Sequence, residues 1–394
     1  MKMNMTNDIY SYLKGDKAIW LIVVVLSIFS MLAVYSAAGS HAFKYRGGNT
    51  EFYLIQQFVF ISLGLVVTYV CCNLHYMHYS RIAPILIAIT IPLLLYTLAY
   101  GTEFNGGRRW ISIPWIDRTI QTSDLAKLAL IIFVARALSI RQEYIKDFKS
   151  AFVPIIFPVT VVCLLIAPAD LSTAALLFVT CIIMMFIGRV SMRYISLLMF
   201  VGLVGFVGLI YIGENYSDVV RSETWNSRWT EFVNGEGWQI EQSKIAIANG
   251  GWIGKGPGMS FQRNHLPSSY TDFIYSIICE EYGLLGGFVI LGLYLWLLIR
   301  CIRLVTRCPK AFGAILALGL CLNIVIQAFA NIAVSVHLVP ATGLTLPLVS
   351  SGGTSILFTC MSIGIILSVS RYVEMARIKS LDLSEIELRD ESNI

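Results

Sequence analysis

The chain has 394 residues, of which 57% are hydrophobic and only 13% charged. A soluble domain carries about 25% charged residues; a chain this poor in charge cannot cover a water-facing surface, which excludes a soluble enzyme and makes lipid its main solvent. The net charge of +5 fits the usual Lys and Arg excess of cytoplasmic loops and gives no reason to expect a nucleic-acid partner.

A membrane helix needs about 20 mostly apolar residues. That rule predicts an all-α polytopic membrane protein with about ten transmembrane helices. They are placed at Ile19–Ala38, Phe52–Cys72, Ile82–Tyr100, Asp124–Ile140, Phe152–Ala167, Leu171–Gly188, Tyr194–Gly213, Phe273–Ile299, Ala311–Val336 and Thr354–Val369. The first run lacks a small-residue cleavage site, so no removable leader is expected. Spans five and six are short and are parted only by Pro168, Ala169 and Asp170, where a tight turn is favoured over one kinked helix. With the N-terminus inside, 18 of the 29 Lys and Arg fall on inner segments, which puts both termini in the cytoplasm. The chain then divides into a cytoplasmic N-terminus (1–18), one transmembrane unit (19–370) and a polar, loose cytoplasmic tail (371–394). The nine cysteines include no C-x-x-C pair and read as reduced packing residues.

The outer face holds two long polar stretches, 101–123 and 214–272. The second is a large extracytoplasmic loop between helices seven and eight. It carries Trp225, Trp229, Trp238 and Trp252, which suit a membrane interface. A third, shorter segment is His337–Gly353.

Four clusters on this face could carry chemistry. Asn105 to Trp110 leads to Gln121, Asp124 and Lys127, with the last two on one helix face. A lysine at a helix start opposes the dipole, so it is either paired locally, snorkelling, or kept for another partner. The glycine run from Asn249 to Gly258 has no Gly-Lys-Ser/Thr and no preceding strand, so it is not an ATP loop. It is a hinge packed close to backbone or ligand, with amides that could contact a pyrophosphate. His265 to Phe273 leads into the eighth span; Asp272 there is either a helix cap or a functional carboxylate. Glu280 and Glu281 lie about 12–14 Å further along a regular helix, where carboxylates are costly and face a cavity or partner. On the 3.6-residue period only one of the two readily shares the face of Asp272. The fourth cluster, Leu344 to Thr354 with Ser350, breaks the helix near the membrane edge, which is tolerated where backbone lines a cavity or is buried. His75 and His78 lack further ligands nearby and read as solvated.

Taken in order, these clusters resemble the SEDS family of peptidoglycan glycosyltransferases, the shape, elongation, division and sporulation proteins. Gly254 to Ser260, Asp272 to Ile274 and Gly343 to Pro347 resemble the family's cell-division branch more than its elongation branch, in the spelling of the Bacteroidetes. The resemblance implies that Asp272 is the catalytic base. It places the substrate-binding positions on Lys127, Asp124, Gln121, Arg109, Arg228, Gln242 and Ser350. The implied activity is polymerisation of lipid II into glycan strands at the division septum of the bacterial inner membrane, with release of undecaprenyl pyrophosphate. A divalent cation (Mg or Mn) could assist the leaving pyrophosphate, and no nucleotide is needed. The implied partners are lipid II, the growing glycan strand, a class B penicillin-binding protein that crosslinks the strands, and other division proteins. That partner's single helix is expected to dock on the eighth and ninth spans, at Gly286, Gly287, Gly292, Gly313 and Gly319, unless these serve packing within the bundle. This chain departs from the family in carrying Asp124 for a glutamate, Ser351 where a tyrosine is frequent, and Met259 where an asparagine is frequent. A lipid II flippase and a non-catalytic division scaffold are the competing readings.

Overall fold

The computed structural model describes residues 14–39, 41, 43, 47, 49–104, 107–113, 118–215, 222–235, 237–267 and 269–392. Asn105, Gly106 and Ser268 of the motifs above, and residues 1–13, lie outside them. The helices run in chain order as α1 (Lys17–Ala37), α2 (Glu51–Asn73), α3 (Met77–Tyr100), α4 (Thr122–Ile140), α5 (Val153–Ile166), α6 (Leu171–Ile187), α7 (Met192–Asn215), α8 (Ser222–Asn234), α9 (Trp238–Gly250), α10 (Ile274–Arg307), α11 (Ala311–Ser335) and α12 (Thr354–Ser392). Helices α1–α7 and α10–α12 stand at the expected span positions, while α8 and α9 belong to the large loop.

Six of these, α1, α2, α3, α10, α11 and α12 up to Arg377, are long and apolar enough to cross a membrane. That is fewer than the ten expected. Helix α5 has 14 residues because a π-helical turn, Phe148–Phe152, takes up its start. Helix α6 has 17 residues, and α4 carries Asp124, Lys127 and Arg136 among its 19. The turn expected between spans five and six is present: Asp170 ends it as the N-cap of α6, accepting from the Thr173 amide at 3.1 Å. Beyond the last expected span, α12 continues as helix to Ser392.

Close packing without a hydrophobic drive needs small residues. Helices α2 and α12 show this. A Cβ on Gly364 would lie 2.7 Å from the Thr68 carbonyl oxygen, and one on Gly64 would lie 2.6 Å from Cys360 Sγ. Thr68 Oγ1 crosses the same contact to the Cys360 carbonyl at 3.0 Å. At the opposite end from the large loop, Arg300 of α10 donates to Asp16, the N-cap of α1, at 2.8 and 2.6 Å. The glycines expected to receive a partner helix mostly serve this internal packing. A Cβ on Gly319 would meet Met184 and Ile131, one on Gly313 would meet Tyr76, and those on Gly286 and Gly287 would meet side chains of α10 itself. Only Gly292 of the five faces open space.

The all-α architecture expected holds, with a small sheet added in the stretch between α3 and α4. Thr102–Phe104 (β1), Gly107–Ile113 (β2) and Arg118–Gln121 (β3) form an antiparallel sheet in the order β1-β2-β3. Trp110 pairs with Thr102 on one side and Gln121 on the other. The sheet satisfies backbone groups in a stretch too short and polar for a helix.

The glycine run settles against α10. Gly283 has φ 69° and ψ −176°, so α10 is broken there. The Lys255 and Gly256 amides donate to the carbonyls of Glu280 and Glu281, both at 3.0 Å. In return the Leu284 and Leu285 amides donate to the carbonyls of Gly251 and Trp252, at 2.9 and 3.3 Å. Backbone freed by the break is thus paired again by the loop, as burial requires. The break also removes the regular helical wheel. Glu280 accepts from Lys255 Nζ (2.9 Å), Ser260 Oγ (2.5 Å) and the Gln262 amide (3.1 Å), while Glu281 accepts from Ser36 of α1. Both glutamates are fully buried and fasten the loop, so neither shares the surroundings of Asp272.

Candidate active site at the large-loop end of the bundle

Asp272 is not a helix cap. Phe273 holds the N-cap position of α10 and no side chain caps it. The Asp272 backbone is instead fixed from α11 and the 337–353 segment. Asn331 donates to the carbonyls of Asp272 and Leu344, both at 2.7 Å. Ser350 Oγ donates to the Thr271 carbonyl at 2.5 Å and accepts from the Leu346 amide at 2.8 Å. The Ser351 amide reaches the Tyr270 carbonyl at 3.0 Å.

The carboxylate caps no helix, and its side-chain hydrogen bond is with the neighbouring Thr271. Gly343 lies against it at φ +71°, and a Cβ there would be 3.7 Å from Asp272 Oδ2. Asp272 keeps part of its surface open, while the dense protein around it desolvates the carboxyl and pushes its pKa up to about 6. Arg228 and Arg109 oppose that rise, and Asp170 adds to it.

Two arginines converge from different elements. Arg228 of α8 donates to the Ala341 carbonyl at 3.2 Å. Burial, and then the neighbouring Arg109, hold its pKa below the ordinary value. Arg109 of β2 donates to the Ala169 carbonyl at 2.7 Å and pairs with Asp170 at 3.0 Å. Helix α6, the sheet and the large loop thus meet over Asp272.

Asp124 and Lys127 form a second group. Lys127 Nζ lies 2.7 Å from Asp124 Oδ1 and 3.1 Å from Gln327 Oε1. Gln327 in turn donates to the Thr345 carbonyl at 3.0 Å. This chain ties α4 through α11 to the segment that supports Asp272. The pair lines a small cavity of about 20 Å³ together with Asn323, Pro347, Ser355 and Thr359. Asp124 Oδ2 and Asn323 Oδ1 are buried with no hydrogen-bond partner. Such atoms normally find one, and the space beside them has room for about one water molecule.

Gln121 ends β3 at the N-cap of α4, and its Nε2 donates to Ser123 Oγ at 3.0 Å. Gln242 is half-buried on α9, a helix anchored by Ser243 to Ser276 and to the Ser335 carbonyl at 2.6 and 2.7 Å. Of the residues singled out in sequence, Asp272, Arg228 and Arg109 come together, Asp124 and Lys127 pair deeper in, and Ser350 acts on backbone. Asp170, Gln327 and Asn331 were missed. A signal existed: Asn323, Gln327 and Asn331 recur every four residues in an apolar run, one polar stripe on one face of α11.

The sequence model of the cell cycle protein family that takes in FtsW, RodA and SpoVE matches residues 16–375. A stage V sporulation protein E of Bacillus subtilis (strain 168) is 35% identical over 363 residues, covering 91% of this chain and 97% of the relative. A probable peptidoglycan glycosyltransferase FtsW of Nitrosococcus halophilus (strain Nc4) is 33% identical over 342 residues, 84% of this chain and 87% of the relative. Among solved structures, a chain from work on the structural coordination of polymerization and crosslinking by a peptidoglycan synthase complex superposes with a TM-score of 0.71 at 24% identity, covering 91% of this chain and 98% of that one. The rod shape determining protein RodA of Thermus thermophilus gives 0.65 at 24% identity, with 92% and 98% covered. The structural likenesses establish a common fold, and with the sequence matches they show that this chain belongs to the SEDS family, related to FtsW and RodA.

Proposed function

We propose that this chain polymerises lipid II into glycan strands at the outer face of the bacterial inner membrane during division. The observation that carries the reading is Asp272: a carboxylate freed from capping, raised toward neutral pH, and set beside two converging arginines. The substrate has a prenyl tail that needs lipid and sugars that need water, so a site at the end of the bundle suits both.

In this mechanism a sugar 4-hydroxyl attacks the anomeric carbon of the strand's reducing-end sugar. The O–C bond forms as the bond from that carbon to the pyrophosphate oxygen breaks. The hydroxyl proton passes to Asp272, a general base with a raised pKa, a role typically worth 10²–10⁴-fold. Undecaprenyl pyrophosphate leaves with the electron pair, and the anomeric centre inverts. Arg228, Arg109 and Lys127 stabilise the growing charge of the leaving group. Gln121 and Gln242 contact the substrate, while Ser350 holds the Asp272 turn. No covalent nucleophile is needed.

A Mg²⁺ or Mn²⁺ brought with the pyrophosphate needs only one or two protein carboxylates. Asp124 fits that requirement through its unpartnered Oδ2. The ion would neutralise the departing phosphate. Among the described residues no three His, Cys, Asp or Glu side chains gather into a metal site.

The reading includes ten crossings, with α4–α7 completing the bundle, both termini cytoplasmic, and a class B penicillin-binding protein as crosslinking partner at the septum. The deciding experiment incubates the purified chain and its co-expressed transpeptidase with labelled lipid II. Long glycan strands from the parent and none from Asp272→Asn support the assignment. Substantial polymer from the variant removes Asp272 from the base role. Movement of lipid II across vesicles without polymer favours the flippase reading. If Asp272→Asn still supports division in cells, the chain is a scaffold.

A further inference from the structure

At the opposite end of the bundle from Asp272 lies a second hollow that the proposed chemistry does not use. It has a volume of about 350 Å³ and opens between the ends of α4, α6, α10 and α11. Its walls are apolar, with Ile145, Ile187, Val305, Ile315 and Leu318, and its charged member is Arg189. We propose that this hollow binds an anionic phospholipid of the adjoining leaflet, with the acyl chains on the apolar wall and the headgroup phosphate on Arg189.

Three observations converge on that occupant. The first is the backbone of Arg189. Helix α6 ends with the Val190 amide on the Met185 carbonyl at 3.1 Å, and the residue after the cap turns left-handed. Glycine normally takes that place. Here Gly188 precedes it at φ −69°, and Arg189 itself stands at φ 62°. Gly188 is needed for contact, since a Cβ there would lie 3.0 Å from Leu138. Arginine is a poor choice for a left-handed position, and strained residues of this kind persist where a function uses them.

The second is charge. Arg189 is exposed. Arg141 and Lys310 stand one residue before the lining residues Gln142 and Ala311. Basic pockets between membrane helices at the cytoplasmic surface recognise anionic headgroups. The third is the wall itself. Ile187 is exposed beside Arg189, at the level where the apolar runs of α6 and α10 give way to charged residues. An arginine over an apolar trough matches a lipid better than a soluble anion, which would leave the trough wet.

The test uses native mass spectrometry of the purified full chain with phosphatidylglycerol or phosphatidylcholine. The parent retains phosphatidylglycerol preferentially. Arg189→Gly and Arg189→Asn both accept the left-handed backbone, so they keep or raise the melting temperature in lipid-free detergent. Each loses about fivefold in phosphatidylglycerol retention, the equivalent of about 1 kcal/mol for one cation at an anionic surface. Unchanged retention in both variants overturns the site, as does equal retention of the two lipids by the parent. Displacement of the lipid by millimolar inorganic phosphate overturns it too, since the ligand would then be a free anion.

Discussion

At the scale of single residues, Asp272 combines a partly open surface with a desolvated carboxyl, and its titration yields two linked predictions. Its pKa is raised from 3.8 to about 6. The base is the ionised form, so polymerisation should fall on the acid side with an apparent pKa near that value, by about tenfold per pH unit below it. A flat rate between pH 5 and 7 would contradict the assignment. The stability effect has a definite sign. A carboxyl with a raised folded pKa contributes stability that is present below its ordinary value and is lost as pH rises through about 6. The Asp272→Asn chain avoids that loss. Its melting temperature at pH 7.5 should match or exceed the parent's by about 2–4 °C, the shift that about 1 kcal/mol gives in a large domain. The gap should narrow as pH falls below about 6 and close only below the ordinary value of 3.8, where the carboxyl is neutral in the folded and the unfolded chain alike. A variant that melts lower at pH 7.5 would show that the hydrogen bond with Thr271 outweighs the desolvation of the carboxyl. The position of Asp272 before a long apolar run was legible in sequence. That it escapes capping was not, because capping depends on the turn at Phe273, and that turn is set by Asn331 and Ser350, which are distant in sequence.

Among elements, the broken helix α10 and the glycine loop form one unit. The sequence showed each half, a costly Glu280-Glu281 pair and a run of glycines, without showing that one solves the other's problem. Lys255 and Glu280 are 25 positions apart, and a regular wheel sends the two glutamates in different directions. Gly283 removes that regularity. Its φ and ψ lie in a region open essentially to glycine alone, and a Cβ there would sit 2.2 Å from the Trp252 carbonyl oxygen. Gly283→Ala should therefore abolish monodisperse folded protein, and Gly254→Ala should do the same, its Cβ meeting the Glu281 carbonyl oxygen at 2.2 Å. Gly251→Ala is the control for the clash alone, since its φ of 54° and ψ of −145° also disfavour alanine but nothing lies near its Cβ; it should cost about 1–3 kcal/mol and still elute as a single species. Equal behaviour of all three in size-exclusion chromatography would mean that the loop does not dock on the helix. The small sheet was hidden for a different reason. Arg108 to Ile113 alternates only weakly between polar and apolar, and strands this short carry little signal.

For the whole molecule, the apolar runs read directly as helices, and the crossing number is the part that length alone does not decide. Helices α4–α7 are short or carry charges, and their place in the bundle comes from packing on their longer neighbours. The topology predicts that a cysteine replacing Asn234 reacts with an impermeant thiol reagent in intact spheroplasts. Cys308, the one native cysteine that is not buried, should react only after lysis. Labelling of both from outside would overturn it. The partner surface follows from the same packing. Of the small residues on α10 and α11, Gly313 and Gly319 are spent inside the bundle, whereas Gly292 opens outward beside exposed Phe288, Val289 and Trp296. A single membrane helix could pack closely there, because a glycine lets two backbones approach and the flanking side chains form the walls. Gly292→Leu should therefore reduce co-purification with the transpeptidase several-fold while the isolated chain keeps its melting temperature, since no atom of the chain lies within reach of the new side chain's Cβ. Gly319→Leu should instead lower the melting temperature, because its Cβ alone would lie 2.6 Å from Met184 Sδ and 3.0 Å from Ile131, and overpacking of this kind costs about 1–3 kcal/mol. If Gly292→Leu leaves co-purification unchanged, or crosslinking places the partner helix only against α1–α3, the exposed face of α10 is a lipid surface and the partner docks elsewhere.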